Sequence, residues 1–184
     1  MSSEHYAYGE EWAHVEAVMR LHAVKRWHMI DTTRTQTLAE HTANVALLTY
    51  VVALKAPGMF FGPAYTAAAI ALLHDLGEVF VGDIPTHTKR HLSGVDELER
   101  ATLPRDLRPA AQIAPEIKNL IKFCDLADGI RFIRLHGVDV TSDHAKDGLE
   151  NQYDLLRQRA FEDWPEEVAK HVITTTTFYA YERS

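Results

Sequence analysis

The chain has 184 residues, of which 46% are hydrophobic, and a formal net charge of −7 at pH 7. A chain of this size and composition can bury one sizeable core, so we expect a single domain over residues 1–184, with residues 1–9 as a polar, flexible tail. The acidic balance excludes a general coat for nucleic acid, because binding a phosphate backbone without sequence preference requires a basic surface stripe.

Cysteine usage and hydropathy indicate the compartment. Cys124 is the single cysteine, which excludes an internal disulfide and fits a reducing environment. The first residues lack the charged-then-apolar layout of a signal peptide. The apolar runs are broken by Lys55, Pro57 and Pro63, well short of the ~20 residues that span a bilayer. We therefore expect a soluble, cytoplasmic protein with no membrane partner.

Hydrophobic periodicity predicts helices along the first half of the chain. The predicted helices cover residues 10–27, 37–55 and 64–73, with a loop over 33–37. Thr37 is the expected N-cap of the second helix, and Glu40 follows at the capping-box spacing. Pro57 and Gly58 end this helix. Pro63 suits the first turn of the third helix, whose alanine-rich, almost uninterrupted apolar composition marks it as the core helix.

The second half is also predicted to be helical. A turn over 82–85 and a polar, basic, loop-like stretch over 86–94 precede helical segments over 95–103, 106–114, 115–136 and 142–162 and from residue 165. The threonine-rich stretch over 174–179 has strand propensity, but a lone strand would lack a partner. The expected fold class is therefore an all-α helical bundle in a single layer, without internal repeats.

Histidine and aspartate side chains stand at positions where burial is costly. His74 and Asp75 close an apolar run, His41 lies within an apolar helical stretch, and Asp125 lies on a third helix. Adjacent helices of a bundle can bring these four side chains to one point, and a divalent metal would compensate for their desolvation. Two imidazoles and two carboxylates suit Mn, Co, Fe, Zn or Ni and, less well, Mg, so the sequence predicts a class of metal.

Six ordered segments carry a resemblance to a known family. They are Lys25-Arg26-Trp27 with Arg34, Ala39-Glu40-His41, His74-Asp75-Leu76-Gly77-Glu78, Gly82-Asp83-Ile84-Pro85-Thr86, Lys89, and Lys122-Phe123-Cys124-Asp125. The set resembles the HD-domain phosphohydrolases, which are helical bundles that bind a divalent metal through His…His-Asp…Asp. Within that superfamily it is most similar to the bacterial 5'-deoxynucleotidases and to small phage enzymes that hydrolyse dATP to deoxyadenosine and triphosphate.

The resemblance implies roles for particular side chains. Glu78 would take a proton from the attacking water, and Asp83 would orient that water or protonate the leaving oxygen. Arg26 and Lys89 would bind phosphate, the first as a fork and the second as a point charge. Trp27 would line the sugar and base pocket, where its ring would crowd a 2'-hydroxyl and favour deoxyribose.

Two assignments leave an alternative open. Asp128 lies one turn after Asp125 on the same helix face and competes with it as the fourth ligand, although the family pattern favours Asp125. Arg34 would bind substrate or simply pair with a surface carboxylate. The remaining histidines have no motif around them and are interpreted as surface or packing residues.

The choice of substrate depends on the number of phosphates. A triphosphate tail carries about four negative charges that need neutralising, and the segment 85–91 contributes Lys89, Arg90, His87 and His91, which is more basic than one phosphate demands. This favours a dNTP triphosphohydrolase with dATP as the first substrate. The alternatives are a 5'-deoxynucleotidase acting on dNMP and, from another class, a non-catalytic nucleotide-sensing module.

The family resemblance also suggests assembly and location. Helical enzymes of this kind commonly self-associate, so we expect a homodimer or higher homo-oligomer, with Phe60-Phe61 and Phe178-Tyr179 as candidate apolar contacts. If the gene belongs to a phage, the cytoplasm is that of the host.

Overall fold

Long α-helices make up most of the fold in the computed structural model, which describes residues 10–89, 91–108 and 113–182. The helices are α1 (Glu10–Arg20), α2 (Leu38–Lys55), α3 (Ala64–Leu72), α4 (Glu78–Val81), α5 (Thr86–Lys89), α6 (Val95–Thr102), α7 (Pro115–His136), α8 (Val140–Asp163) and α9 (Glu166–Tyr181). Short 3-10 turns occupy Pro57–Met59 and Arg105–Leu107. The all-α fold class is confirmed, and the expected tail over 1–9 lies outside the described residues.

The core lies where α2 and α7 meet. Helix α2 packs against α3, α7 and α9, and α7 also packs against α8 and α9. Apolar side chains of these helices form one buried cluster, which includes Val45, Val52, Leu120, Phe123 and Val172. The two central helices are therefore held on several sides, and a side chain that they direct into the bundle has a well-defined position.

Aromatic packing decides what the Phe60-Phe61 pair does. Phe61 is buried, with its ring 5.3 Å from that of Trp164 in an edge-to-face arrangement. The expectation that this residue supplies an exposed contact for self-association is therefore wrong, because its apolar surface is used inside the core. Phe178 differs, since 67% of its surface is exposed.

The first helix is shorter than predicted. It ends at Arg20, and Lys25–Arg26 instead form strand β1, which pairs antiparallel with strand β2 (Gln36–Thr37). Beyond the helix, the N–H of Leu38 donates to the carbonyl of Val24 at 3.0 Å. Hydrogen bonds to the start of α2 thus replace the helical bonds that the apolar spacing predicted, and the stretch expected to be a loop contributes a strand.

Other boundaries follow the sequence more closely. Thr37 caps α2, since its hydroxyl accepts a hydrogen bond from the N–H of Glu40 at 3.1 Å; the Glu40 carboxylate, however, binds Arg34. The stretch expected to be loop-like over 86–94 contains the helical turn α5. Residues 174–179 lie within α9, as a lone strand without a partner could not be stable. Within the described residues, no helix has the length and apolar character needed to cross a membrane.

Candidate active site

Four predicted ligands meet at one point inside the bundle. One ligand atom each from His41, His74, Asp75 and Asp125 lies within 4.8 Å of the others. His41 Nε2 is 3.3 Å from an Asp125 oxygen and 3.6 Å from an Asp75 oxygen. The Nε2 atoms of both histidines are buried and have no hydrogen-bond partner. Two unpartnered imidazole nitrogens that face two carboxylates fit a divalent metal ion. Such an ion would bind the nitrogens and balance the charge of the carboxylates, which compensates for the desolvation of both groups.

Local backbone structure directs the two histidines into this cluster. Helix α3 ends at Leu72, and His74 stands in the turn that follows. The His74 Nδ1 lies 2.6 Å from the carbonyl oxygen of Ala71, so this nitrogen carries the proton and Nε2 keeps its lone pair for the cluster. His41 is fully buried in the first turn of α2, which fixes its ring.

Asp128 lies on the other side of His41. Its Oδ2 is 2.7 Å from His41 Nδ1, the nitrogen that faces away from the cluster. Its Oδ1 accepts hydrogen bonds from Asn44 at 3.0 Å and from the Tyr179 hydroxyl at 2.8 Å. The geometry thus places Asp125, and not Asp128, among the four ligand atoms. Asp128 orients a candidate ligand instead.

The cluster has a strong electrostatic preference for positive charge. Burial and the nearby Arg26 lower the pKa of His41, but the close carboxylates of Asp125, Asp128 and Asp75 outweigh them and raise it to about 10. The pKa of Asp125 is lowered, because Lys122 and His41 together overcome the opposing effect of burial. The carboxylates therefore remain ionised and can serve as ligands.

Glu78 is buried directly beside the cluster. It is the first residue of α4 and 4% exposed, and its Oε2 has no hydrogen-bond partner. Burial, Asp75 and Asp83 raise the pKa of this carboxyl to about 8, against the opposing effects of Arg26 and Lys89. A carboxyl whose pKa lies near neutrality has the basicity that a general base requires.

Two carboxylates hold Lys89: its ammonium is 3.1 Å from Glu78 Oε1 and 2.7 Å from Glu99 Oε1. Helix α6 approaches so closely that a Cβ on Gly77 would stand 2.7 Å from the Cβ of Glu99. Lys89 is thus engaged by two carboxylates, and its predicted role as a phosphate ligand requires these ion pairs to rearrange. Arg90 and the side chain of His87 lie outside the described residues.

Asp83 follows a glycine with a left-handed backbone. Gly82 ends α4 with φ at 84°, a conformation that a residue with a Cβ adopts at a cost. The turn brings Asp83 within electrostatic range of the site, since its charge raises the pKa of both Glu78 and Arg26. The predicted acid–base pair therefore lies on the same side of the cluster.

Arg26 and Trp27 approach the cluster from the β1 strand. Arg26 Nη1 donates to Asp75 Oδ2 at 3.0 Å, and its guanidinium lies 5.4 Å from the centre of the Trp27 ring. The other ring neighbour is Phe132, stacked nearly parallel at 6.2 Å. Trp27 has φ at 61°, which is strained for a bulky side chain and persists only where the surroundings impose it.

Arg34 lies at the surface beyond Trp27. Its guanidinium binds both oxygens of Glu40, at 2.6 and 2.8 Å, and its Nε donates to His136. This is the surface ion pair that the sequence left open as the alternative to substrate binding. His136, interpreted as a surface or packing residue, is the second partner of this guanidinium.

Several residues of the site had no assigned role at the level of sequence. Lys122 lies one helical turn before Asp125 and donates to it at 2.8 Å, a pairing that the i,i+3 spacing would have indicated. Gln36, Asn44 and Tyr179 surround Asp128. Each of them lies more than 50 positions from Asp128 in the chain, so no local spacing connects them to it.

A helical bundle that brings together His…His-Asp…Asp is the defining arrangement of the HD phosphohydrolases. Sequence comparison agrees with this class, since the family described as 5'-deoxynucleotidase YfbR-like matches residues 13–102.

Phage enzymes match along more of the chain. The dATP triphosphohydrolase of Salmonella phage PMBT28 is 30% identical over 176 residues, which cover 86% of this chain and 90% of that protein. The dATP triphosphohydrolase of cyanophage S-2L is 34% identical over 125 residues, 65% of this chain and 69% of that protein. The chain therefore belongs to the YfbR-like HD phosphohydrolase family.

A solved structure extends the comparison to the fold. The cyanophage S-2L HD phosphohydrolase DatZ, bound to dA and one catalytic Zn²⁺ ion, superposes with a TM-score of 0.75 and 28% identity. The match covers 89% of this chain and 93% of that chain. The likeness thus includes almost the whole bundle.

Proposed function

We propose that this protein is a metal-dependent dATP triphosphohydrolase, which releases deoxyadenosine and triphosphate. The observation that carries the proposal is the partly buried cluster of four ligand atoms, with the unpaired Oε2 of Glu78 nearby. The substrate is supported by the two phage relatives, which are named dATP triphosphohydrolases, and by the dA bound to the structural neighbour.

His41, His74, Asp75 and Asp125 would hold the metal. Their mixed nitrogen and oxygen set suits Zn²⁺, Co²⁺ or Mn²⁺, and the structural neighbour has a catalytic Zn²⁺. A dication bound there supplies Lewis-acid polarisation of a phosphoryl oxygen and makes water more acidic.

The protein side chains divide the remaining work. Glu78 accepts the proton of the water that attacks the α-phosphorus, through the oxygen that has no partner. Asp83 orients this water or protonates the leaving oxygen. Arg26, 11% exposed at its side chain, neutralises phosphate charge as it builds up.

The nucleoside lies against Trp27 in this proposal. The indole is held between Phe132 and the Arg26 guanidinium, so its edge has a fixed position from which to crowd a ribose 2'-hydroxyl. Lys89 and Arg34 are proposed to meet the phosphate tail or the nucleoside, and each would first leave a carboxylate partner.

A 5'-deoxynucleotidase is the second candidate, and one contact favours it. A triphosphate needs several cations, but Lys89 of the basic segment 85–91 is already bound by Glu78 and Glu99. Fewer free cations suit a substrate with one phosphate. The family match over residues 13–102 fits this candidate equally well.

The deciding experiment supplies metal-stripped protein with dATP or dAMP and with Zn²⁺, Co²⁺, Mn²⁺ or Mg²⁺, and resolves products by phosphorus NMR. Triphosphate from dATP supports the proposal, whereas orthophosphate from dAMP alone supports the deoxynucleotidase. Nucleotide binding without any product would identify a sensing module. The same reactions with Glu78→Gln show whether turnover depends on the proposed base.

We also propose that the enzyme is a homo-oligomer acting in the cytoplasm. Several large apolar side chains on α2 and α3 are exposed and suit self-association: Leu47, Val51, Leu54 and Tyr65. Light scattering coupled to size exclusion gives the mass directly, and a mass near 20.8 kDa would contradict the proposed self-association.

A further inference from the structure

A chain of hydrogen bonds, partly buried at Trp27 and buried from Gln36 onward, connects the Trp27 ring to His41. The Trp27 Nε1 donates to Gln36 Oε1 at 2.7 Å, and Gln36 Nε2 donates to Asp128 Oδ2 at 2.8 Å. The same Asp128 oxygen lies 2.7 Å from His41 Nδ1. Gln36 is 1% exposed and Asp128 is 2% exposed, so water does not compete for these bonds.

The indole sets the direction of every bond in this chain. An indole N–H can only donate, so the Gln36 atom facing it is the carbonyl oxygen, and the atom facing Asp128 is the amide nitrogen. Asp128 therefore accepts. The remaining partner of that oxygen is His41 Nδ1, which consequently carries a proton and donates.

The orientation of the His41 ring follows. With the proton on Nδ1, the neutral ring has its lone pair on Nε2, the unpartnered atom that faces Asp75 and Asp125. This is the tautomer that a metal ligand needs. A proton on Nε2 would instead block the cluster.

The second oxygen of Asp128 holds the carboxylate in place. Asn44 and Tyr179, from α2 and α9, both donate to Oδ1. With Gln36 and His41 the carboxylate accepts four hydrogen bonds, from strand β2, helix α2 and helix α9, which compensates for its burial. It cannot rotate without losing several of them.

We propose that Gln36 and Asp128 are positioning residues that hold the metal ligand His41 at one end of a single hydrogen-bonded chain and the Trp27 ring at the other. Asp128 selects the His41 tautomer, and Gln36 transmits this constraint to Trp27. The part that concerns nucleoside binding rests on the proposed function, which places the nucleoside against Trp27.

The first test measures metal binding without any substrate. Co²⁺ is titrated into metal-stripped protein and followed by its visible absorption, for the original chain, Asp128→Asn and Gln36→Met. We expect Asp128→Asn to weaken Co²⁺ binding about 10- to 100-fold, because the amide keeps the shape but loses the charge. Gln36→Met should weaken it less. Equal affinity in the original chain and Asp128→Asn would overturn the proposal.

Tyr153→Phe is the matched control. It removes a buried hydroxyl that bonds to Thr176 and Thr177 and makes no hydrogen bond to Asp128, and so reproduces a loss of buried hydrogen bonds. We expect its Co²⁺ affinity to match that of the original chain. A comparable loss in this variant would attribute the effect of Asp128→Asn to general destabilisation and overturn the proposal.

The tautomer is tested in the original chain, whether or not the variants fold. Nitrogen-15 NMR of zinc-loaded protein should assign the proton of His41 to Nδ1; a proton on Nε2 would overturn the proposal. Deoxyadenosine titration then tests the other end, where Gln36→Met should raise the dissociation constant several-fold. If the original chain binds Co²⁺ but neither deoxyadenosine nor dATP, the proposed function is refuted and the role of Asp128 is left intact.

Discussion

The two sides of the site differ in the elements that carry their residues and in the interactions that hold them. The metal side combines the turn after α3, which carries His74 and Asp75, with the long helices α2 and α7, where His41 is fully buried and Asp128 accepts four hydrogen bonds. The acid–base side rests on the short elements α4, α5 and α6, where Glu78, Lys89 and Glu99 form a chain of ion pairs.

This difference in construction suits the two sides of the site to different tasks. A satisfied buried network fixes the orientation of a ligand and leaves it little freedom to respond to its surroundings. Ion pairs among partly exposed groups respond to pH and to a bound anion, since Lys89 is 27% exposed at its side chain. We infer that the metal side supplies geometry and that the acid–base side supplies the adjustable charge.

The largest effect should come from a substitution at Glu78 that impairs the acid–base side and leaves the metal side intact. Glu78→Gln keeps the volume of the side chain and removes its basicity, so kcat should fall about 10²- to 10⁴-fold. Co²⁺ affinity should remain unchanged, because the four candidate ligands are intact. Product formation from dATP and Co²⁺ titration measure the two quantities on the same sample.

Glu97→Gln is the control for this substitution. Glu97 lies exposed on α6, so it removes the same charge without touching the site and should retain full kcat. If Glu78→Gln turned over dATP as fast as Glu97→Gln, Glu78 would not be the base.

The sequence alone singles out the four residues that the fold brings together on the metal side, because their signal is local. A His-Asp pair at the end of an apolar run, a histidine within a helix and an aspartate on a periodic helix are visible without any tertiary contact. The helices α2, α3 and α7 were predicted almost to their ends for the same reason, since their apolar spacing, Pro63 and Pro115 all point to the same elements.

The contacts that tune the site could not be predicted in this way. Gln36 meets Asp128 across 92 positions, and Glu99 reaches Lys89 only because α6 packs closely on Gly77. The strand pairing of Lys25–Arg26 with Gln36–Thr37 overrides a local helical pattern. Such contacts depend on packing in three dimensions, which short-range spacing does not encode.

The packing of α6 on α4 offers the next largest effect. Gly77→Ala places a Cβ 2.7 Å from the Cβ of Glu99 and 3.2 Å from its carbonyl oxygen, so α6 must move. We expect the free energy of unfolding to fall by about 1–3 kcal/mol. We also expect kcat to fall, because a displaced Glu99 would draw its partner Lys89 away from Glu78. Urea denaturation and dATP turnover check both.

Gly148→Ala is the matched control, because its Cβ would meet no atom within 4 Å and alanine favours a helix. Its stability should equal or exceed that of the original chain. A Gly77→Ala variant as stable as Gly148→Ala would show that α4 and α6 are packed less tightly than described.

A smaller effect should appear in the pH dependence of turnover. The folded pKa of Glu78 is raised to about 8 from an ordinary value of 4.5, so the folded state favours the protonated carboxyl. Its contribution to stability is fully present below pH 4.5 and is lost as the pH rises through 8. Turnover that needs the ionised Glu78 carboxylate increases as the pH rises through 8. A bound dication moves this rising limb of the pH profile to lower pH.

Lys89 and Glu99 should shift that limb in opposite directions. Lys89→Met removes a charge that lowers the pKa of Glu78, so the limb should move to higher pH by about one unit. Glu99→Gln leaves Lys89 to Glu78 alone, so the limb should move to lower pH. Profiles of kcat/KM against pH at saturating metal measure both shifts. Shifts in the same direction would contradict the coupling of Glu78, Lys89 and Glu99 through their ion pairs.

The smallest effect is expected at the wall of the nucleoside pocket. A Cβ on Gly129 would lie 3.4 Å from the Trp27 ring and 3.2 Å from the end of the Leu149 side chain. Leu149 can turn aside, so Gly129→Ala should cost less than about 1 kcal/mol of stability. Trp27, however, is held by Gln36 and Phe132 and cannot retreat easily, so the KM for dATP should rise modestly while Co²⁺ affinity stays constant. A fall in Co²⁺ affinity as large as that of Asp128→Asn would mean that Trp27 governs the metal side more strongly than Asp128 does.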